Sequence, residues 1–234
     1  MSERRRLIAF SIVFWIAVNL ASLAMFSEEV SRWVRFICTG FFFITATLHK
    51  PFSWKLFFTF LFFTICDFSL IYFENPIFNA LTFISRGAAF VTVASIGVLK
   101  LRRFKITLLE FFIGLILVSI NIALLVELES MISLAHTEEM YNSVFYGFAI
   151  ITIITMIIAV SYSNRFSNQK SVFYLCGVLW MIFSDLTYFI GYYLDFPEFY
   201  YADRFFNVLG SGFLMLFAST SNKNEKLFDI DIKI

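Results

Sequence analysis

The chain consists mainly of long apolar stretches separated by short connections that carry most of the charged residues. A helix that crosses the roughly 30 Å hydrocarbon core of a bilayer needs about 20 mainly apolar residues, because it rises about 1.5 Å per residue. Eight stretches meet or approach this length, which predicts an all-α, polytopic membrane helix bundle. The predicted spans are Leu7–Phe26, Trp33–Leu48, Trp54–Phe73, Ile77–Leu99, Ile106–Val126, Tyr141–Tyr162, Val172–Leu194 and Phe205–Thr220.

The composition also favours lipid as the solvent for most of the surface. Hydrophobic residues make up 60% of the 234 residues and charged residues 15%, whereas soluble domains contain roughly 45–50% apolar and about 25% charged residues. The net charge of +1 gives no reason to expect a nucleic-acid partner. The cysteines Cys38, Cys66 and Cys176 lie in apolar stretches, where they are expected to be buried. Neither a metal nor another cofactor is predicted.

Lysine and arginine residues fall on every second connection, and this alternation predicts the orientation. They occur before the first span, in the second, fourth and sixth connections, and in the tail. The other connections are mainly acidic, except the first, where Arg32 and Arg35 follow two glutamates. Because basic connections stay in the cytoplasm, an even number of spans with both termini cytoplasmic is expected. The predicted organisation is one eight-helix domain over residues 1–222 and a polar cytoplasmic tail over residues 223–234.

Ionisable residues inside the predicted spans are candidate functional residues, because charge is costly in hydrocarbon. Asp67 lies in the third span, Arg86 in the fourth and Asp185 in the seventh. Counting residues from the span ends places the three within about one helical turn of the same depth. Asn121 and Asn207 fall in the same layer. These five side chains are therefore expected to share a polar pocket in the outer half of the bundle.

Arg86 alone cannot neutralise two aspartates, and two interpretations follow. In one, an aspartate pairs with Arg86 and holds helices together, as membrane charges commonly do. In the other, the remaining carboxyl group stays protonated and serves as a general acid or a proton-carrying site. The third and seventh spans each carry a buried aspartate, and Asn79 and Asn207 occupy similar places in the spans that follow. This correspondence hints at a four-plus-four internal repeat.

Two short segments carry a resemblance to a known family. The segment His49-Lys50-Pro51, followed by a span that ends in Cys66-Asp67, resembles the Lys-Pro and Gly-Asp signatures of the YhhN, or lysoplasmalogenase-like, family. The segment from Gly177 to Asp185 resembles the second signature of that family, which ends in Ser-Asp. The eight-span count and the order of the elements also match. Cys66 replaces the usual glycine, and Arg86 lies in the span where the family often carries a histidine.

The resemblance implies an integral membrane hydrolase of the bacterial inner membrane, which cleaves the vinyl ether bond of a lysophospholipid and releases a fatty aldehyde. One carboxylic acid would protonate the alkene, and a second carboxylate would stabilise the cation or activate water. On this interpretation Asp67 and Asp185 are the catalytic pair, and the predicted partner is a membrane lipid. The candidate substrate or charge partners are Arg86, Asn121, Asn207 and Lys50. A proton-coupled transporter or a non-catalytic membrane protein with the same buried charges is the alternative.

Overall fold

The structure, a computed structural model, describes residues 3–48, 53–98, 119 and 139–220. The regular elements of these residues are seven helices, which confirms the predicted all-α class for the described part of the chain. The helices are α1 (Glu3–Met25), α2 (Glu28–Thr47), α3 (Trp54–Ile71), α4 (Pro76–Val98), α5 (Glu139–Phe166), α6 (Gln169–Tyr193) and α7 (Phe199–Ser219).

Each of these helices corresponds to one predicted span, but two of them begin five or six residues earlier than expected. Helix α2 begins at Glu28 rather than at Trp33, and α7 begins at Phe199 rather than at Phe205. Residues that the sequence analysis assigned to the first and seventh connections therefore lie inside helices. The predicted fifth span and the predicted tail lie outside the described residues.

Five of the helices are long and apolar enough to cross a membrane, by length and composition. They are α1, α3, α4, α6 and, within α5, the segment Ser143–Phe166. Their number indicates a multi-pass membrane protein. Helices α2 and α7, with 20 and 21 residues, are of similar length, but arginine and aspartate residues lower their hydropathy. The count of eight spans and the internal repeat stay predictions.

The described helices pack in a closed ring. Consecutive helices from α1 to α4 pack against each other, α4 packs against α5, and α5, α6 and α7 continue the series. Helix α7 then returns to pack against both α1 and α2. Helices α6 and α7 approach closely where Gly177 lies against Leu214 and Gly210 lies against Met181, because a glycine leaves room for the facing helix. The ring thus turns one face of each helix towards a common interior.

Polar residues at the helix starts fix the turns between neighbouring helices. The amide of Ser171 donates to Oδ1 of Asn168 at 2.8 Å, and the amide of Asn168 donates to Oγ of Ser171 at 3.1 Å. This reciprocal capping begins α6 directly after α5. Before α4, Oδ1 of Asn75 accepts from the amide of Ile77 at 3.0 Å, and Pro76 takes the first helical position, where its missing N–H is not needed.

Candidate functional site

Arg86 of α4 and Asp185 of α6 form an ion pair inside the ring. Nε of Arg86 lies 2.8 Å from Oδ1 and 3.0 Å from Oδ2 of Asp185. Nη2 donates to the carbonyl oxygen of Met181 at 3.4 Å, and the guanidinium carbon lies 4.6 Å from the centre of the Phe63 ring. Of the two aspartates that could have paired with Arg86, Asp185 is therefore the partner.

Asp67 of α3 has different partners. Its Oδ1 accepts from Nε of Arg35 on α2 at 2.9 Å, and its Oδ2 accepts from Oγ1 of Thr39 at 2.5 Å. Both carboxylate oxygens are thus used, and the side chain is 0% exposed. The expectation that one aspartate would lack a cation is wrong, because it took Arg86 as the only available arginine.

Arg35 joins Asp67 to a third carboxylate, which the sequence analysis placed in a connection. Nη1 of Arg35 donates to Oδ2 of Asp203 at 2.5 Å. Asp203 also pairs with the adjacent Arg204 and accepts from Oγ of Ser184 at 2.6 Å. These contacts connect α2, α3, α6 and α7. Asp203 and Arg204 are therefore buried inside the ring of helices and do not lie in an external loop.

The six charged groups balance. The charge cluster, as we call it, consists of Arg35, Arg86, Arg204, Asp67, Asp185 and Asp203. An unpaired charge in such an interior is costly, whereas a balanced, hydrogen-bonded set is tolerated. The balance explains how α2 and α7 can carry ionisable residues on the side that faces the ring.

A small cavity lies where the two halves of the cluster meet. Arg35, Arg86 and Asp185 all line it. Its volume is about 20 Å³, which is room for about one water molecule. Within the described part of the chain, Asp185 is the only carboxylate on the lining, and its side chain is 12% exposed, whereas those of Asp67 and Asp203 are 0% exposed. Asp185 is therefore the carboxylate best placed to meet a ligand.

Only some of the residues that were predicted to share a polar pocket line the cavity. Arg86 and Asp185 share the cavity, and Cys66, the neighbour of Asp67, lines it in place of Asp67 itself. Asn207 is buried on α7, one turn after Asp203, and is not on the cavity lining. The remaining candidates, Lys50 and Asn121, lie outside the described residues.

A regular spacing of polar residues could have revealed the members that the sequence analysis missed. On each of α2 and α7, three polar residues recur at every fourth position, which places them on one helix face. The two sets are Ser31, Arg35 and Thr39 on α2, and Asp203, Asn207 and Ser211 on α7. Such a polar face, continued into an apolar stretch, indicates a helix that begins before the apolar stretch does.

The fold and the site together define an all-helical bundle with helices of membrane-spanning length, a balanced charge cluster and one partly accessible aspartate. Comparisons with known protein families, with characterised proteins and with solved structures give no match. Among the residues that the structure describes, no group of three or more His, Cys, Asp and Glu side chains is placed to hold a metal ion. The chemistry that the arrangement allows is proton exchange between Asp185 and a small molecule in the cavity.

Proposed function

We propose that the chain spans the inner membrane of a bacterium eight times, with both termini in the cytoplasm. The alternation of basic connections supports this topology, and five described helices have the length and composition of spans. Helices α2 and α7 can join them because their charges are balanced inside the ring. The fifth predicted span, Ile106–Val126, completes the even number.

Reporter fusions test this topology. Alkaline phosphatase fused after Glu74 or Asp195 should be active, because both follow odd-numbered spans and face outwards. The same reporter fused after Asn168 should be inactive. Activity after Asn168 together with inactivity after Glu74 would contradict the orientation.

We propose further that the protein is a membrane hydrolase that resembles lysoplasmalogenases and cleaves the vinyl ether bond of a lysophospholipid. The observation that carries this proposal is the position of Asp185, paired with Arg86 and partly exposed at the cavity. Once it has taken up a proton from water and has released Arg86, a carboxyl group in this position can donate that proton to the alkene carbon. The resulting oxocarbenium ion accepts water, and the hemiacetal then collapses to a fatty aldehyde and the glycerophospho alcohol.

The roles of the two predicted catalytic aspartates differ in this proposal. Asp185 exchanges the proton, since it lines the cavity. Asp67 positions Arg35 at the cavity wall, because both of its oxygens are already bonded to Arg35 and Thr39. The cavity is large enough for the attacking water but too small for an aliphatic chain. The chain of the substrate therefore stays among the lipids beside α6, and only the vinyl ether group approaches Asp185.

An assay of the purified full chain in detergent tests the hydrolase. Wild-type protein should release fatty aldehyde from lysoplasmalogen, and Asp185→Asn should release none. Glu198→Gln is the matched control, because it removes an exposed carboxylate at the start of α7. Retention of aldehyde release in folded Asp185→Asn, or its absence from folded wild type, would refute the proposal.

A proton-coupled transporter is the second candidate, and one observation favours it. Arg35 lines the cavity with Asp185 and also bonds to both Asp67 and Asp203, so a change of charge at Asp185 can affect the other two carboxylates through one guanidinium. Proteoliposomes that contain a pH-sensitive dye would report proton uptake on addition of a solute. Proton uptake that is lost in Asp185→Asn, together with no aldehyde release by wild type, would favour transport over hydrolysis.

A further inference from the structure

The cavity presents more positive than negative charge to an occupant. Arg35 reaches it from α2 and Arg86 from α4, and Asp185 is the one described carboxylate on its lining. Asp67 and Asp203, which neutralise Arg35, bond to it from outside the lining. An occupant therefore meets two guanidinium groups and one carboxylate, a setting that favours an anion over a cation.

Arg86 also keeps a donor that the described residues do not use. Its Nε and Nη2 bond to Asp185 and Met181. Its Nη1 is buried and has no hydrogen-bond acceptor among the described residues, and the residue is 2% exposed. Buried donors nearly always have a partner, because an unsatisfied donor is costly. The unused Nη1 beside a small cavity points to an acceptor that binds there.

We propose that the cavity is a binding site for a single small anion of chloride size, held between Arg35 and Arg86, and that binding is coupled to protonation of Asp185. The coupling follows from charge. The cluster of six groups is balanced, so an added anion would leave one uncompensated negative charge in the interior. A proton on Asp185 restores the balance and releases Arg86 to the anion. This site does not depend on the proposed hydrolysis.

Size and surroundings narrow the ligand class. A volume of about 20 Å³ admits a particle of about the size of water, which suits a halide and excludes sulfate, phosphate and organic acids. Phe83, Phe148 and Phe189 form part of the wall, and aromatic rings carry partial positive charge at their edges. The described wall thus offers guanidinium groups and aromatic rings to a compact anion.

The groups that face Asp185 from the surrounding helices are few. Helix α4 contributes Arg86, α2 contributes Arg35, and α3 contributes the Cys66 thiol. From α7, Asp203 lies within electrostatic range of Asp185, while α5 contributes the uncharged Phe148. Asp67 and Asp203 are both held by arginines. Asp185 is therefore the carboxylate at the cavity that can take up the coupled proton.

The thermal unfolding temperature of the purified full chain in detergent tests the proposal, because a ligand that binds only the folded protein raises it. Sodium chloride is titrated against sodium gluconate at constant ionic strength, and gluconate is too large for the cavity. We expect a saturable chloride effect at acidic pH. Since one proton accompanies each anion, the apparent affinity should fall about tenfold per pH unit once Asp185 is ionised.

Three variants make the test specific. Asp185→Asn is permanently neutral and should bind chloride equally well at acidic and neutral pH. Arg86→Gln should lose the chloride effect, whereas Arg6→Gln, which removes an exposed arginine of α1, should keep it. A chloride effect in wild type that is independent of pH would overturn the coupling. No difference between chloride and gluconate in either wild type or Asp185→Asn would overturn the site and leave water as its occupant.

Discussion

Removal of the Arg35 side-chain charge is the perturbation that most directly probes the charge cluster. In Arg35→Gln, Asp203 keeps its ion pair with Arg204. Asp67 loses its cation and keeps only the hydrogen bond from Thr39. One fully buried carboxylate is therefore left uncompensated, and breaking a buried pair in this way costs about 3–5 kcal/mol. A loss of this size is a large part of the roughly 5–15 kcal/mol by which proteins are stable.

A second substitution separates the cost of the orphaned charge from the cost of the altered shape. Arg35→Gln combined with Asp67→Asn removes both charges, and replacement of a whole buried pair by neutral groups is often close to neutral in free energy. The double variant should therefore recover at least about half of the stability lost in Arg35→Gln, which is about 2 kcal/mol. The unfolding free energy can be measured by circular dichroism, as denaturing detergent is added to mixed micelles.

Arg32 provides the matched control, since it is another arginine of α2, one turn from the cluster. It pairs with Glu28 and Glu74, whose side chains are 43% and 61% exposed. Arg32 is itself buried, but Arg32→Gln leaves no carboxylate buried, so it should cost less than Arg35→Gln. Equal losses in Arg32→Gln and Arg35→Gln, or a double variant no more stable than Arg35→Gln, would refute the reasoning.

Two packing predictions can be checked by thermal unfolding in detergent. Gly210→Ala should cost about 1–3 kcal/mol, because a Cβ there would lie 3.0 Å from the backbone nitrogen of Met181. Gly147→Ala, with no atom within 4 Å of its new Cβ, should instead stabilise α5 by about 0.5–1 kcal/mol. Equal effects of the two substitutions would contradict the close packing of α6 on α7. Tyr174→Phe should cost about 1 kcal/mol by removing the 2.8 Å hydrogen bond to the carbonyl oxygen of Val93, and an unchanged unfolding temperature would show that this bond adds nothing.

The helices were predictable because long apolar stretches are a local feature of the sequence. The charged residues at the cavity were predictable because they lie at similar depths in their spans. Long apolar stretches indicate helices by length alone. Arg86 and Asp185 stand inside such stretches, where a charge has few possible partners, so counting residues from the span ends placed them at one depth but did not decide whether Asp67 or Asp185 pairs with Arg86. Helix α3, with Asp67 in its interior, was placed correctly for the same reason.

The partner of Asp67 was not predictable in this way. Arg35 lies near the start of an apolar stretch, where charged residues usually belong to a connection. It enters the interior because Asp203, 168 residues away in the sequence, and Asp67 supply the opposite charges. Such a pairing depends on the return of α7 to α2, and a tertiary contact of this kind leaves no signal in the local hydropathy.

The same charges explain why composition marks five of the seven described helices as candidate spans. Helices α2 and α7 have the length of spans but fail on composition because of Arg35, Asp203 and Arg204. These charges cancel only once Asp67 of α3 joins them, because Arg35 and Arg204 carry two positive charges and Asp203 carries one negative charge. Helix α2 alone would present the charge of Arg35 unpaired, whereas Asp203 and Arg204 already pair with each other on α7. In the proposed topology, the balance of the cluster is therefore what would allow α2 to span the membrane, whatever chemistry Asp185 performs at the cavity beside it.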